Sequence, residues 1–139
     1  MRFLPAVAVG FMAVTSLMVV ASRPGHAADG DAAKGAQIYQ RCLACHSLEH
    51  NRSGPRHCGL FGRTAGSLPG FDYSKAMKAT GFVWDEATLN RFLENPLKTV
   101  PGTKMAYAGV KNEQERADLI AYLKQATRDP AKCPQESSN

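Results

Sequence analysis

The chain has 139 residues, 44% of them hydrophobic and 21% charged, with a formal net charge of +5. That length admits one domain, and that balance excludes a disordered chain. The mild basic excess suits docking on an acidic partner or an anionic surface, but it is too small to point to nucleic acid.

The first segment, residues 1–27, reads as a secretory signal peptide. Arg2 precedes an uncharged apolar run from Phe3 to Ser22, and Pro24, Gly25 and Ala27 follow as breaker and small residues. Cleavage after Ala27 is expected. The competing reading is an uncleaved anchor, since about 20 apolar residues also span a bilayer. Export carries a redox consequence: two free thiols that meet outside the cytoplasm become oxidised.

Behind the leader, Asp31 to Arg41 reads as a helix, capped by Asp29 or Asp31, with Ala32, Ala36 and Tyr39 along one face. Gly35 inside it costs about 1 kcal/mol against alanine, which suggests a close backbone crossing. A loop rich in Gly, Pro and Arg runs from about Ser47 to Gly70. Ser74 caps a short helix that Gly81 stops, and a third helix opens at Asp85 and ends before Pro96. Asn112 with Glu115 resembles a capping box, and Leu119, Ile120 and Leu123 continue at helical spacing to Thr127. No segment alternates like a strand. The expected fold is all-α, with short helices and long loops. Loops this long in so small a chain need something beyond side chains to fill the core.

Cys42-Leu43-Ala44-Cys45-His46 carries the chemistry. Two thiols three residues apart can reach the two vinyl groups along one porphyrin edge, and the histidine that follows can ligate the iron; this is the pattern of c-type haem attachment. A thioredoxin-like pair would want a flanking βαβ pattern, and a structural zinc site a second close ligand pair. Cys58 and Cys133 are single and far apart. For the second axial ligand, Met105 in the loop Val100-Pro101-Gly102-Thr103-Lys104-Met105 is a candidate. Met77, His50 and His57 compete with it on residue type alone.

At this point the sequence resembles the mitochondrial cytochrome c type and its bacterial periplasmic relatives, the class I c-type cytochromes. Besides the attachment motif, the resemblance is carried by Gly54-Pro55, Gly59-Leu60-Phe61-Gly62-Arg63, Gly70-Phe71-Asp72-Tyr73-Ser74, Trp84, Asn95-Pro96, Pro101-Gly102-Thr103-Lys104-Met105 and Asp118-Leu119-Ile120-Ala121-Tyr122-Leu123. It covers Gly30 to about Thr127 and implies a cytochrome c domain over 28–127, a tail over 128–139, and short helices wrapped around one covalent haem c. It implies Cys42 and Cys45 as attachment points, with His46 and Met105 as iron ligands. Pro55 would accept from the ring N–H of His46, while Tyr73 and Trp84 would bind a haem propionate beside Arg63. Gly35 and Tyr39 would cross Leu119 and Tyr122. Phe92 stands where similar proteins usually carry tyrosine, and Met77 where many carry an amide, so the distal pocket loses polar groups.

The function implied is a periplasmic monohaem electron carrier: not an enzyme, without a small-molecule substrate, and a monomer. It would exchange single electrons with membrane or periplasmic redox proteins that present acidic docking faces. An uncleaved leader would make it a membrane-tethered carrier. The alternative is a haem peroxidase or ligand sensor with a labile sixth site. Arg41, Lys98, Lys104 and Lys111 fall where similar proteins ring the haem edge with positive charge. Two cysteines remain after the haem takes its pair. In similar proteins the position of Cys58 lies in a loop near the end of the last helix, so a disulfide to Cys133 on the tail is expected. A buried free Cys58, with Cys133 paired to another molecule, is the other outcome.

Overall fold

The computed structural model describes residues 29–134, so the leader and the last five residues lie outside the described part. Five α-helices follow one another: α1 (Ala32–Tyr39), α2 (Lys75–Lys78), α3 (Glu86–Glu94), α4 (Pro96–Thr99) and α5 (Glu113–Ala126), with a 3-10 turn at Gln40–Cys42 extending α1. Among the described residues there is no strand, only an isolated antiparallel bridge between Thr64 and Val83. The all-α expectation holds.

Side chains that accept from the first free N–H groups set the helix starts. Asp31 accepts from Ala33 and Lys34, Ser74 from Met77, Asp85 from Thr88 and Asn112 from Glu115. The sequence points to each of these positions. Two details differ. The reciprocal capping box belongs to Asp85 and Thr88; the Glu115 carboxylate instead takes both terminal nitrogens of Arg41, at 2.9 and 3.0 Å. Pro96 does more than stop α3: at the first turn of α4 its missing N–H costs nothing, and Asn95 caps the new helix through Lys98.

The helix pair α1 and α5 forms the main contact of the fold. Gly35 permits it, since a Cβ there would collide with the Asp118 carbonyl and the Tyr122 side chain. Asp118 Oδ1 accepts from the Asp31 N–H at 2.7 Å, so the crossing also supplies a cap partner. Ile38 and Tyr39 then bury against Leu119, Ile120 and Leu123. Behind α5, Cys58 and Cys133 are joined by a disulfide with Cα atoms 5.4 Å apart, closing a separation of 75 residues. The pairing expected from the sequence is present. The last turn of α5 is tied to the same loop by the Gly59 N–H, which donates to the Thr127 carbonyl at 3.0 Å.

Candidate cofactor site

The loops and helices enclose a cavity of about 350 Å³. Cys42, Cys45, His46, Pro55, Arg63, Tyr73, Trp84 and Met105 all line it, so every residue expected at the site meets in one place. The remaining wall includes Leu60, Met77, Leu89, Phe92 and Leu93 and is largely apolar.

Cys42 and Cys45 carry free thiols. Burial pushes the Cys42 thiol up to about 11, partly offset by Arg41. A thioredoxin-like pair would sit beside a βαβ unit, and the described residues hold no strand, which removes that reading. The zinc reading fails as well, because Cys58 and Cys133 are consumed by their own disulfide. His46 follows on the same turn, its N–H bonded to the Cys42 carbonyl at 2.8 Å. Its Nδ1 lies 2.8 Å from the Pro55 carbonyl. A carbonyl only accepts, so Nδ1 carries the proton and the Nε2 lone pair remains free for a metal. Desolvation lowers the affinity of His46 for a second proton, and the Pro55 carbonyl pulls the other way. Gly54 leaves the ring its place, since a Cβ at that position would run into the imidazole.

Arg63 enters from the opposite end of the loop. Its Nη1 and Nη2 donate to the carbonyls of Cys58 and Arg56, each at 3.0 Å. Its buried Nε has no partner among the described residues. A buried, unpaired guanidinium nitrogen at an apolar cavity is costly, and it complements an anionic group placed there. Tyr73 is half-buried against Phe71, with ring centroids 4.7 Å apart, and burial raises its phenol. Trp84 is buried in tilted contact with Phe92 at 5.2 Å.

The loop of Met105, which also lines the cavity, is fixed at its C-terminal end. The Val110 N–H donates to Leu93, and the buried Arg116 guanidinium donates to the carbonyls of Val110 and Lys111 and to Asn90. The sequence reading passed over Arg116; only the fold shows that a charged residue on α5 closes this loop. Two histidines drop out as axial candidates. His57 stacks on His46 with centroids 4.3 Å apart, on the same side of the cavity. His50 is exposed beside Glu49.

Three of the four cations expected around the haem edge have partners of their own. Arg41 is paired with Glu115, Lys104 with Asp72 at 2.6 Å, and Lys111 donates to the Glu94 carbonyl at 2.7 Å. The carboxylate partners lie 74 and 32 residues away, beyond the reach of local sequence reading.

Such a fold, with two free thiols and a histidine at an apolar cavity and a guanidinium whose buried Nε is unpaired, defines a protein that takes up a planar, anionic cofactor through thioether bonds. The comparisons agree. A family model for cytochrome c matches residues 32–127. Cytochrome c2 from Blastochloris viridis is 45% identical over 122 residues, covering 86% of this chain and 96% of the relative. Cytochrome c from Stellaria longipes is 49% identical over 104 residues, covering 72% and 96%. The solved structure of cytochrome cH from Methylobacterium extorquens superposes with a TM-score of 0.67 at 44% identity, covering 68% of this chain and 98% of that one. The chain belongs to the cytochrome c family and carries one covalently bound haem c.

Proposed function

We propose that this chain is an exported, periplasmic, monomeric electron carrier, with its leader removed after Ala27, and that it performs no substrate chemistry. The observation that carries the reading is the convergence of Cys42, Cys45, the unprotonated Nε2 of His46 and the Met105 loop on one cavity. Cys42 and Cys45 would hold the haem by thioethers, and His46 and Met105 would ligate its iron. The bound haem supplies a one-electron Fe(III)/Fe(II) couple, which thioether ligation biases toward Fe(II). Pro55 keeps the His46 tautomer fixed and its ligating nitrogen basic. Arg63, Tyr73 and Trp84 would hold a propionate, with the free Nε of Arg63 as its cationic partner. Leu89, Phe92 and Leu93 exclude water from the distal wall.

Among the described residues no helix is long and apolar enough to cross a membrane. The reading of export therefore rests on the leader pattern of residues 1–27. Partners with acidic faces suit the basic excess, although the pairing of Arg41 and Lys104 weakens the field they see. Electron transfer to an acidic partner should slow as salt rises, with a shallow slope.

The test is a redox titration of the holoprotein together with the carbon monoxide response of its reduced form. A single one-electron wave and no rapid carbon monoxide binding are expected. Rapid binding would mean a labile sixth site and a peroxidase or sensor instead.

A further inference from the structure

His57 is a polar residue that attachment, ligation and propionate binding leave without a role. It is half-buried and lines the cavity. Its ring lies 4.3 Å from that of His46, at an interplanar angle of 21°. Its Nδ1 shares a hydrogen bond of 2.9 Å with the hydroxyl of Tyr39, a residue of α1 that is only 2% exposed. A core filler at this place would be apolar; a Tyr–His pair here must have both polar groups satisfied by each other.

The His57 N–H donates to the carbonyls of Ser47 and Leu48. Arg63 grips the carbonyls on either side, of Arg56 and Cys58. Cys58 itself is bound to Cys133. One short stretch thus acts three times on the same imidazole: Gly54 leaves it space, Pro55 accepts from its Nδ1–H, and His57 lies along its face. The Pro55 bond fixes the tautomer, yet a single hydrogen bond leaves the ring free to rock about the line between Nδ1 and the carbonyl. A rigid, stacked second ring removes that freedom.

We infer that His57 is a positioning residue for the proximal ligand: its stacked ring sets the plane of His46, and the Tyr39–His57 hydrogen bond ties that plane to the packing of α1 on α5. The inference rests on His46 being an iron ligand. The plane of an axial imidazole determines which iron d orbital shares the unpaired electron of the ferric state. The pattern of hyperfine-shifted haem-methyl resonances therefore reports ring orientation directly.

The experiment compares ferric holoproteins of the parent, Tyr39→Phe, His57→Phe and His57→Leu by proton NMR, each with its thermal midpoint. His57→Leu should change the order or spacing of the haem-methyl resonances. Tyr39→Phe and His57→Phe, which keep a ring but lose the hydrogen bond, should move them less and in the same direction. Tyr39→Phe keeps its packing, so it reads out even if a His57 variant does not fold. A haem-methyl pattern identical to the parent in every folded variant, with only the thermal midpoint lowered, would reduce His57 to core packing and overturn the inference. Failure of the ligand assignment would look different, because the parent itself would then lack the shifted imidazole resonances of His46.

Discussion

On the flank of Cys42, Cys45 and His46 the chain is held by polar bonds. Gly54 donates to Cys45, Arg52 to Leu43, Cys58 to Leu48 and Gly59 to Thr127, while Arg63 and the disulfide hold the same loop from behind. A second flank, made by Met77, Leu89, Phe92 and Leu93, gives the cavity an apolar wall. The Met105 loop is tied by Lys104 to Asp72 and by Val110 to Leu93 and Arg116. Hydrogen bonds have direction, so the first flank specifies angles. Packing specifies volume, so the second specifies shape and dryness. Changes on the first should remove the cofactor or reorient its ligand; changes on the second should tune the site while the fold persists.

Removing the attachment thiols is the hardest blow. Cys42→Ala with Cys45→Ala should give no covalent haem and no folded chain by circular dichroism. An unfilled cavity of about 350 Å³, at ~24 cal/mol per Å³, costs on the order of 8 kcal/mol, comparable to the whole stability of a domain. A folded, haem-free double variant would break the comparison at its root.

Opening the disulfide comes next. Cys133→Ser, in a holoprotein that keeps its other bonds, should lower unfolding stability by about 4 kcal/mol, given the 75-residue separation. Denaturant midpoints measure it, and the visible spectrum should not change.

The distal flank should yield more gently. Met105→Ala should keep covalent haem and fold, lose the far-red thioether–iron band, bind carbon monoxide when reduced and titrate at a lower potential. Met77→Leu, a volume-conserving swap, should cost less than about 1.5 kcal/mol and leave that band in place. Loss of the band in Met77→Leu would show that the wrong methionine has been assigned.

The smallest effect lies remote from both flanks. The Asp31 N–H and then the Gln114 amide hold the Asp118 carboxyl below its ordinary range. Its contribution to stability is therefore full above about pH 4, the unfolded value, and is lost as pH falls through the lower folded one. Asp118→Asn should lower stability at neutral pH and flatten the acid side of the profile. Urea midpoints at neutral and acidic pH check both.

Local chemistry made much of this legible in the sequence. The attachment motif, the caps at Asp31, Ser74, Asp85 and Asn112, and the helix glycine Gly35 each declare themselves within a few residues. Polar contacts of charged side chains across the chain stayed hidden. Arg41 and Lys104 look like free charges until folding brings Glu115 and Asp72 to them. Arg116 looks like a solvated residue until Val110 and Lys111 close over it. His57 is a plausible ligand by type, and only the stack on His46 reveals which side of the cavity it occupies. Pro96 misleads for another reason: the same residue ends one helix and begins another, and only the Asn95 side chain decides.

The four cysteines pose a sorting problem during synthesis. Four thiols can pair in three ways, and only one pairing produces Cys58–Cys133. That pairing also joins Cys42 to Cys45, so the haem needs the staple made while the other bond is left open. Cys42 and Cys45 are neighbours in every conformation, whereas Cys58 meets Cys133 only after α5 has docked and the tail has turned back. Short loops close with the smaller entropic cost, so an oxidant acting on the nascent chain seals the attachment site before it makes the staple. In an oxidising compartment, which the proposed export implies, haem attachment would therefore need Cys42 and Cys45 kept reduced while Cys58 and Cys133 are joined.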